Sequence, residues 1–341
     1  MSDLSTKLQN VGLNTKIIAA LDESPGTIAN RLTSVGLTPS VELAEKYRDD
    51  LITTEGIENY VGGVILHPST ANQTIDGQNA VALLNSKGVG TFVKVDQGVE
   101  TDPSNGYNVT KGFDTLEQQL NEAKALGAVG AKWRSFIAVA DPADPLYQEN
   151  VKANADGLAK YAKANQVLEL IPIVEPEISF AKMNPAHAGG AHTIEESEAS
   201  ARYVLSETVS AMQNEGVDLS AIILKIGFVL PGKDTVSETT PLNYEDIATR
   251  TLSVIRDVLP KDLKTIVFLS GGLNIPDATG CLRAINEIAS DDDPILSASY
   301  GRGVQAEALK KFAVDDHAGT QSEFLSASQA NASVLRKELA I

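Results

Sequence analysis

Cysteine is almost missing from this chain: Cys281 is the only one in 341 residues. No intrachain disulfide can form, which points to a reducing compartment. Within Gly280-Cys-Leu-Arg-Ala-Ile, Cys281 reads as a small packed residue of a helix. Histidine is scarce too. His67, His187, His192 and His317 show no metal-ligand spacing, so neither a metal nor another cofactor is expected. His187 and His192 belong to the stretch Asn184-Pro-Ala-His-Ala-Gly-Gly-Ala-His, which reads as a long solvated loop inside one domain. Basic residues are outnumbered, 28 against 45 acidic ones, and the net charge of -17 argues against nucleic-acid or anionic-membrane partners. It leaves a small anionic substrate open, because charges beyond a Debye length of about 8 Å are largely screened and local side chains decide. The start, Met1-Ser-Asp-Leu-Ser-Thr-Lys-Leu-Gln, lacks the apolar core of a signal peptide, and no run approaches the roughly 18 apolar residues of a membrane span. A cytoplasmic protein is therefore expected. No composition break marks a linker, so residues 1–341 read as a single domain.

What the chain does have is short apolar runs at regular intervals. They fall at Lys16–Leu21, Gly62–Leu66, Gly90–Val95, Ala128–Phe136, Leu168–Val174, Ala221–Ile226, Thr265–Leu269 and Ile295–Ser299. Between them lie stretches of helical periodicity, among them Thr115–Leu126, Ala153–Asn165, Ile194–Glu215 and Tyr244–Val258. Apolar strands alternating with helices predict an α/β fold with a parallel sheet covered by helices. Eight such units fit a closed (β/α)₈ TIM barrel, here with a helical lead-in before the first strand and a helical tail after the last.

The runs carry charges where a buried strand should have none. Lys94 and Asp96, Lys132 and Arg134, and Glu175 and Glu177 are each spaced i, i+2, which puts both members on one face of a strand. Lys225, in Ala221-Ile-Ile-Leu-Lys-Ile-Gly-Phe-Val, is the clearest case. An isolated strand lysine would read as snorkelling to water. Several charged strands together argue instead for a polar cluster where strand ends converge. Burial disfavours an ammonium, and the neutral amine it favours is the form that attacks carbonyls to give a Schiff base. In a barrel, chemistry belongs at the C-terminal strand ends. Asp22 follows the first run, Asp96 and Glu175 end the third and fifth, and Arg134 is late in the fourth. Ser270-Gly271-Gly272 follows the seventh and Tyr300-Gly301-Arg302-Gly303 the eighth, the places where such barrels often hold phosphate.

These residues together resemble the class I, Schiff-base-forming fructose-1,6-bisphosphate aldolases. The matching segments are Ala20-Leu-Asp-Glu-Ser-Pro-Gly-Thr-Ile-Ala-Asn-Arg-Leu, Lys94-Val-Asp-Gln-Gly, Ala131-Lys-Trp-Arg, Ile173-Val-Glu-Pro-Glu-Ile, Leu224-Lys, Phe268-Leu-Ser-Gly-Gly and Ser299-Tyr-Gly-Arg, in the family's order over nearly the whole chain. The resemblance implies that fructose 1,6-bisphosphate is reversibly cleaved to dihydroxyacetone phosphate and glyceraldehyde 3-phosphate, in glycolysis and gluconeogenesis. It implies Lys225 as the imine lysine, Asp22 as the carboxylate acting on the C4 hydroxyl, and Glu175 as acid/base for carbinolamine dehydration with Glu177 as its companion. Lys132 would polarise the substrate hydroxyls. Ser270, Gly271, Gly272, Gly301 and Arg302 would take the C1 phosphate, and Ser24, Thr27 and Lys94, with Arg134 nearby, the opposite one. Many members use a terminal tyrosine to exchange the dihydroxyacetone phosphate proton. This chain has no tyrosine after Tyr300, so Glu175, Glu177 or a water they hold is the expected base, with a carboxylate raised by partial desolvation.

Some readings stay open at this level. A Schiff-base aldolase for another sugar phosphate would look similar, and so would a barrel that binds sugar phosphates without turnover, although pure binding gives no reason to bury Lys225, Glu175 and Asp22. A homo-oligomer is expected. Trp133 should face the helices as core. Asp291, Asp292 and Asp293 read as a solvated turn, and Lys233 as an exposed loop lysine.

Overall fold

The computed structural model describes residues 3–179 and 190–335. Its barrel strands are β1 (Ile17–Leu21), β2 (Val61–Leu66), β3 (Gly90–Lys94), β4 (Gly130–Ile137), β5 (Ile171–Ile178), β6 (Ile223–Ile226), β7 (Thr265–Phe268) and β8 (Ile295–Tyr300). Each pairs in parallel with its sequence neighbours, and β8 returns to β1 to close the barrel. No helix among the described residues is long and apolar enough to cross a membrane.

Side-chain alternation divides each strand between two cores. Ile18, Ala20, Ile65, Phe92, Ile171, Ile173, Ile223 and Val267 meet inside the barrel. Their sequence neighbours, such as Ala19, Leu66, Val93, Val174, Leu224 and Phe268, face the surrounding helices. Trp133 lies in that outer layer, its ring 5.7 Å from Tyr161 and 4.5 Å from Phe113. Cys281 is packed in the outer core on the helix Ile275–Ile288. The lead-in, helix Asp3–Gln9 and the turn after it, sends Leu8, Val11 and Leu13 into the inner cluster from the N-terminal end. At the other terminus, helix His317–Ser333 packs along Arg302–Phe312.

Several boundaries differ from the sequence reading. β5 runs on to Ile178, because Phe136 and Ile137 of β4 still pair with Glu177 and Ile178, so both glutamates lie within the strand rather than at its end. Asp96 sits beyond β3. The helix Pro145–Val167 starts two turns earlier than periodicity suggested, since Asp144 caps the Leu146 N–H and Pro145 occupies the first turn. The acidic turn before β8 is only partly solvated. Asp291 and Asp292 are exposed, but the Asp293 carboxylate is gripped by Arg256 at 2.9 and 2.7 Å and takes the Ser290 N–H at 2.7 Å. That fork pulls its pKa down to about 2. Lys233 is exposed as expected.

Gly62 shows how tightly the lower mouth is closed: a Cβ there would lie 1.8 Å from Val11 O. That carbonyl belongs to the plug which the lead-in forms at this end, and it cannot move aside without dragging Val11 out of the inner cluster. Gly62→Ala should therefore cost about 3 kcal/mol, the upper range for overpacking, and lower the thermal midpoint by several degrees in a scanning calorimetry experiment. An unchanged midpoint would show that the plug is not closely fitted.

Candidate active site

Above the apolar layer, the inward positions turn polar. Asp22 comes two residues after Ala20, Lys94 two after Phe92, Glu175 two after Ile173 and Lys225 two after Ile223; Lys132 and Arg134 take the matching positions of β4. They line a cavity of about 500 Å³ at the C-terminal ends of the strands, together with Ser24, Thr27, Glu177, Ser270, Gly271, Gly272, Gly301 and Arg302. Every site residue singled out from the sequence lines this one cavity.

Its centre is a chain of alternating charges. Lys225 Nζ lies 3.0 Å from Glu175 Oε1, and Lys132 Nζ 2.7 Å from Glu175 Oε2 in an ionic contact. Lys132 also donates to Asp22 Oδ2 at 3.0 Å. Lys132 (3% exposed), Glu175 (3%) and Lys225 (4%) are out of water. Burial alone would raise both carboxyls, yet Lys132 and Lys225 outweigh it, aided by Lys94 at Asp22 and by Arg134 at Glu175, and hold both below the usual carboxylate range. This corrects the expectation of a raised Glu175. Burial would likewise lower the Lys132 ammonium, but Asp22 and Glu175 raise it on balance. Arg134 donates to Glu177 Oε2 at 2.9 Å, and Lys94 to Asp96 Oδ1 at 2.6 Å.

The two rims differ. At the turn after β7, Gly271 and Gly272 have φ of +56° and +107°, conformations open to glycine, which free the backbone for close approach to a ligand. Gly301 opens the helix Arg302–Phe312 with no side-chain cap, so that helix start is free to face an anion. On the first-strand side, Ser24 Oγ caps the helix Pro25–Ser34, accepting the Thr27 N–H at 3.3 Å and lying 3.0 Å from Thr27 Oγ1.

The sequence reading missed what supports this wall. Glu23 is clasped by Arg31 and Arg48, and Gln305 Nε2 joins it at 2.9 Å while bonding Ala20 O at 2.8 Å. Only the position of Glu23 beside Asp22 hinted at it. His67 also lines the cavity; the signal for it was its place two residues after the inward-facing Ile65. His192 corrects the expectation of a solvated histidine: it is buried, with Nε2 3.3 Å from Leu230 O, because Gly232 N–H bonds its carbonyl and ties residues 190–192 to the loop after β6. His187, most of the 179–193 loop and the ending Lys337-Glu-Leu-Ala-Ile lie outside the described residues.

Two lysines sharing a buried carboxylate beside glycine-rich turns, at the C-terminal mouth of a parallel barrel, have the arrangement of a barrel enzyme's active site. Comparison with known proteins narrows the class. The family model for class I fructose-bisphosphate aldolase matches residues 3–339. A probable fructose-bisphosphate aldolase class 1 of Xanthomonas axonopodis pv. citri is 34% identical over 302 residues, covering 88% of this chain and 86% of that protein. Cytosolic fructose-bisphosphate aldolase 4 of Arabidopsis thaliana is 34% identical over 327 residues, covering 94% and 79%. Among solved structures, that of Plasmodium falciparum fructose-bisphosphate aldolase, in complex with TRAP and a small-molecule inhibitor, superposes with a TM-score of 0.88 at 30% identity, covering 98% of this chain and 95% of that one. The chain belongs to the class I fructose-bisphosphate aldolase family.

The charge chain makes a pH prediction. Carboxyls held low in the folded state contribute stability that is complete above their unfolded pKa of about 4 and is lost as pH falls through the lower folded values. Lys132→Met leaves two carboxylates without their shared cation and should cost about 3 kcal/mol at pH 7. The gap in thermal midpoint between variant and wild type should then narrow below about pH 4. A gap independent of pH would mean that Lys132 contributes packing only.

Proposed function

We propose that this aldolase cleaves fructose 1,6-bisphosphate through an imine on Lys225; the observation that carries the reading is Glu175 seated between Lys225 and Lys132, at 3.0 and 2.7 Å. The first step is a proton transfer from the Lys225 ammonium to Glu175 Oε1. Losing that cation removes part of what holds the Glu175 pKa down, so the transferred proton is better retained. The neutral amine attacks the C2 carbonyl to form a carbinolamine. Glu175 then returns its proton to the C2 hydroxyl, which departs as water and leaves a protonated imine. That imine takes up the electron pair of the C3–C4 bond as the C4 hydroxyl gives up its proton to the Asp22 carboxylate, with Lys132 beside it, and glyceraldehyde 3-phosphate is released. Protonation of the enamine at C3 and hydrolysis free dihydroxyacetone phosphate and Lys225. Glu175, Glu177 or a water they hold, reloaded with a proton from solvent, is the donor for that C3 proton.

In this reading, Ser270, Gly271, Gly272, Gly301 and Arg302 hold the C1 phosphate, while Ser24, Thr27 and Lys94, with Arg134 nearby, hold the other. The protein acts in the cytoplasm, in glycolysis and gluconeogenesis, as a homo-oligomer; a solution mass near that of one 36.1 kDa chain would set the oligomer aside.

Lys225→Ala should abolish turnover and also borohydride trapping of dihydroxyacetone phosphate on the protein. Peptide mapping that found the adduct on Lys132 or Lys94 would overturn the assignment. The phosphate ends separate by substrate. Arg302→Ala should raise KM for fructose 1-phosphate and the bisphosphate alike, by tenfold or more, because a bidentate charge-assisted contact is worth about 1.5–3 kcal/mol. Lys94→Ala should spare fructose 1-phosphate, and an equal loss there would mean the two ends are reversed.

A further inference from the structure

His67 has no part in the chemistry above. It follows β2 directly, at an inward position, and lines the cavity with Ser24, Thr27 and Lys94. Its ring is fixed from one side. Nδ1 accepts the Ser69 N–H at 3.3 Å and lies 2.9 Å from Ser69 Oγ, capping the short helix Pro68–Ala71. An Nδ1 used as acceptor places the proton of the neutral ring on Nε2. Burial pushes the imidazole's pKa down, and Lys94 and Arg48 push it further, so the neutral ring is the form present at neutral pH. Nε2 has no hydrogen-bond partner among the described residues and is not enclosed by protein. The Lys94 side of the cavity thus holds a fixed, neutral donor with nothing to donate to.

We infer that His67 Nε2–H donates to a phosphoryl oxygen at the end of the ketose held by Ser24, Thr27 and Lys94, and thereby helps the enzyme prefer a bisphosphate to fructose 1-phosphate. A neutral donor suits that place. It adds a directed bond to an anion without adding a cation that Lys94 and Arg48 would repel. The inference rests on the aldolase reading.

Two substitutions separate this role from the helix cap. His67→Asn keeps an acceptor near the Nδ1 position and loses the distal donor; His67→Gln keeps a donor near the Nε2 position and loses the cap. Steady-state kinetics of His67→Asn should show KM for fructose 1,6-bisphosphate raised about tenfold, with fructose 1-phosphate changed less than about twofold. His67→Gln should retain most of the wild-type preference between the two. The inference is overturned if Asn weakens both substrates equally or neither, or if Gln loses the preference as fully as Asn. Borohydride trapping of dihydroxyacetone phosphate on Lys225 serves as the control in both variants. Absence of trapping in the wild type would sink the aldolase reading itself, whereas intact trapping with an unchanged substrate preference would sink only the role of His67.

Discussion

A single carboxylate, Glu175, makes the rest of the site possible. Placing two ammonium groups out of water inside a barrel costs several kcal/mol for each, and their mutual repulsion adds to it. Glu175 stands between them, and Asp22 takes up the remaining side of Lys132. The register of β5 therefore fixes the chemistry. Lys132 of β4 is level with Ile173, and Ile223 of β6 is level with the same residue, so the next inward step of β5 brings Glu175 against both lysines. Slipping β5 by one residue would turn both glutamates toward the helices and aim Val174 at the lysines.

That arrangement works because the barrel interior is built in two storeys. Below, Ile18, Ile65, Phe92, Ile173, Ile223 and Val267 form a dry floor, sealed by Leu8, Val11 and Leu13 of the lead-in. Above, the next inward position turns ionised or polar on four of these strands, at His67, Lys94, Glu175 and Lys225, while the first strand stays apolar for one more step, Ala20, before Asp22, and Leu269 follows Val267. The floor keeps water from one side of the charge chain, so each ionic contact acts in a medium of lower effective dielectric than water. Alternation with a period of two supplies both storeys from the same strands.

This explains why so much was legible in the chain itself. The eight apolar runs correspond to eight strands, and the i, i+2 charges on Lys132/Arg134 and Glu175/Glu177 are the upper storey read along one strand at a time. What stayed hidden depends on partners far apart in sequence. Asp293 looked solvated, but Arg256, on the helix Tyr244–Val258, meets it in the fold. Glu23 carried no signal of its own, because Arg31, Arg48 and Gln305 close on it only in the fold. His192 read as a loop residue because the backbone bond that buries it comes from Gly232. His67 follows the same two-residue rule as the lysines, and its wide separation from the other three histidines along the chain gives no hint of it.

A chain of net charge -17 can accept a ketose bearing two phosphates because the balance inside the cavity is different. Among the described residues, six cations line it, Arg31, Lys94, Lys132, Arg134, Lys225 and Arg302, against five carboxylates, Asp22, Glu23, Asp96, Glu175 and Glu177. Five of the cations already hold a carboxylate: Lys132 and Lys225 share Glu175, Arg134 has Glu177, Lys94 has Asp96 and Arg31 has Glu23. Among the described residues, Arg302 alone of the six has no hydrogen bond or salt bridge. A phosphate at the Arg302 rim meets a guanidinium that need not leave a partner. At the opposite rim it must draw Lys94 from Asp96 or share it, which costs part of the attraction. On the proposed assignment of the two phosphates, the ends of the substrate are bound on unequal terms, and it is at the more costly end that a neutral donor already held in place would contribute most.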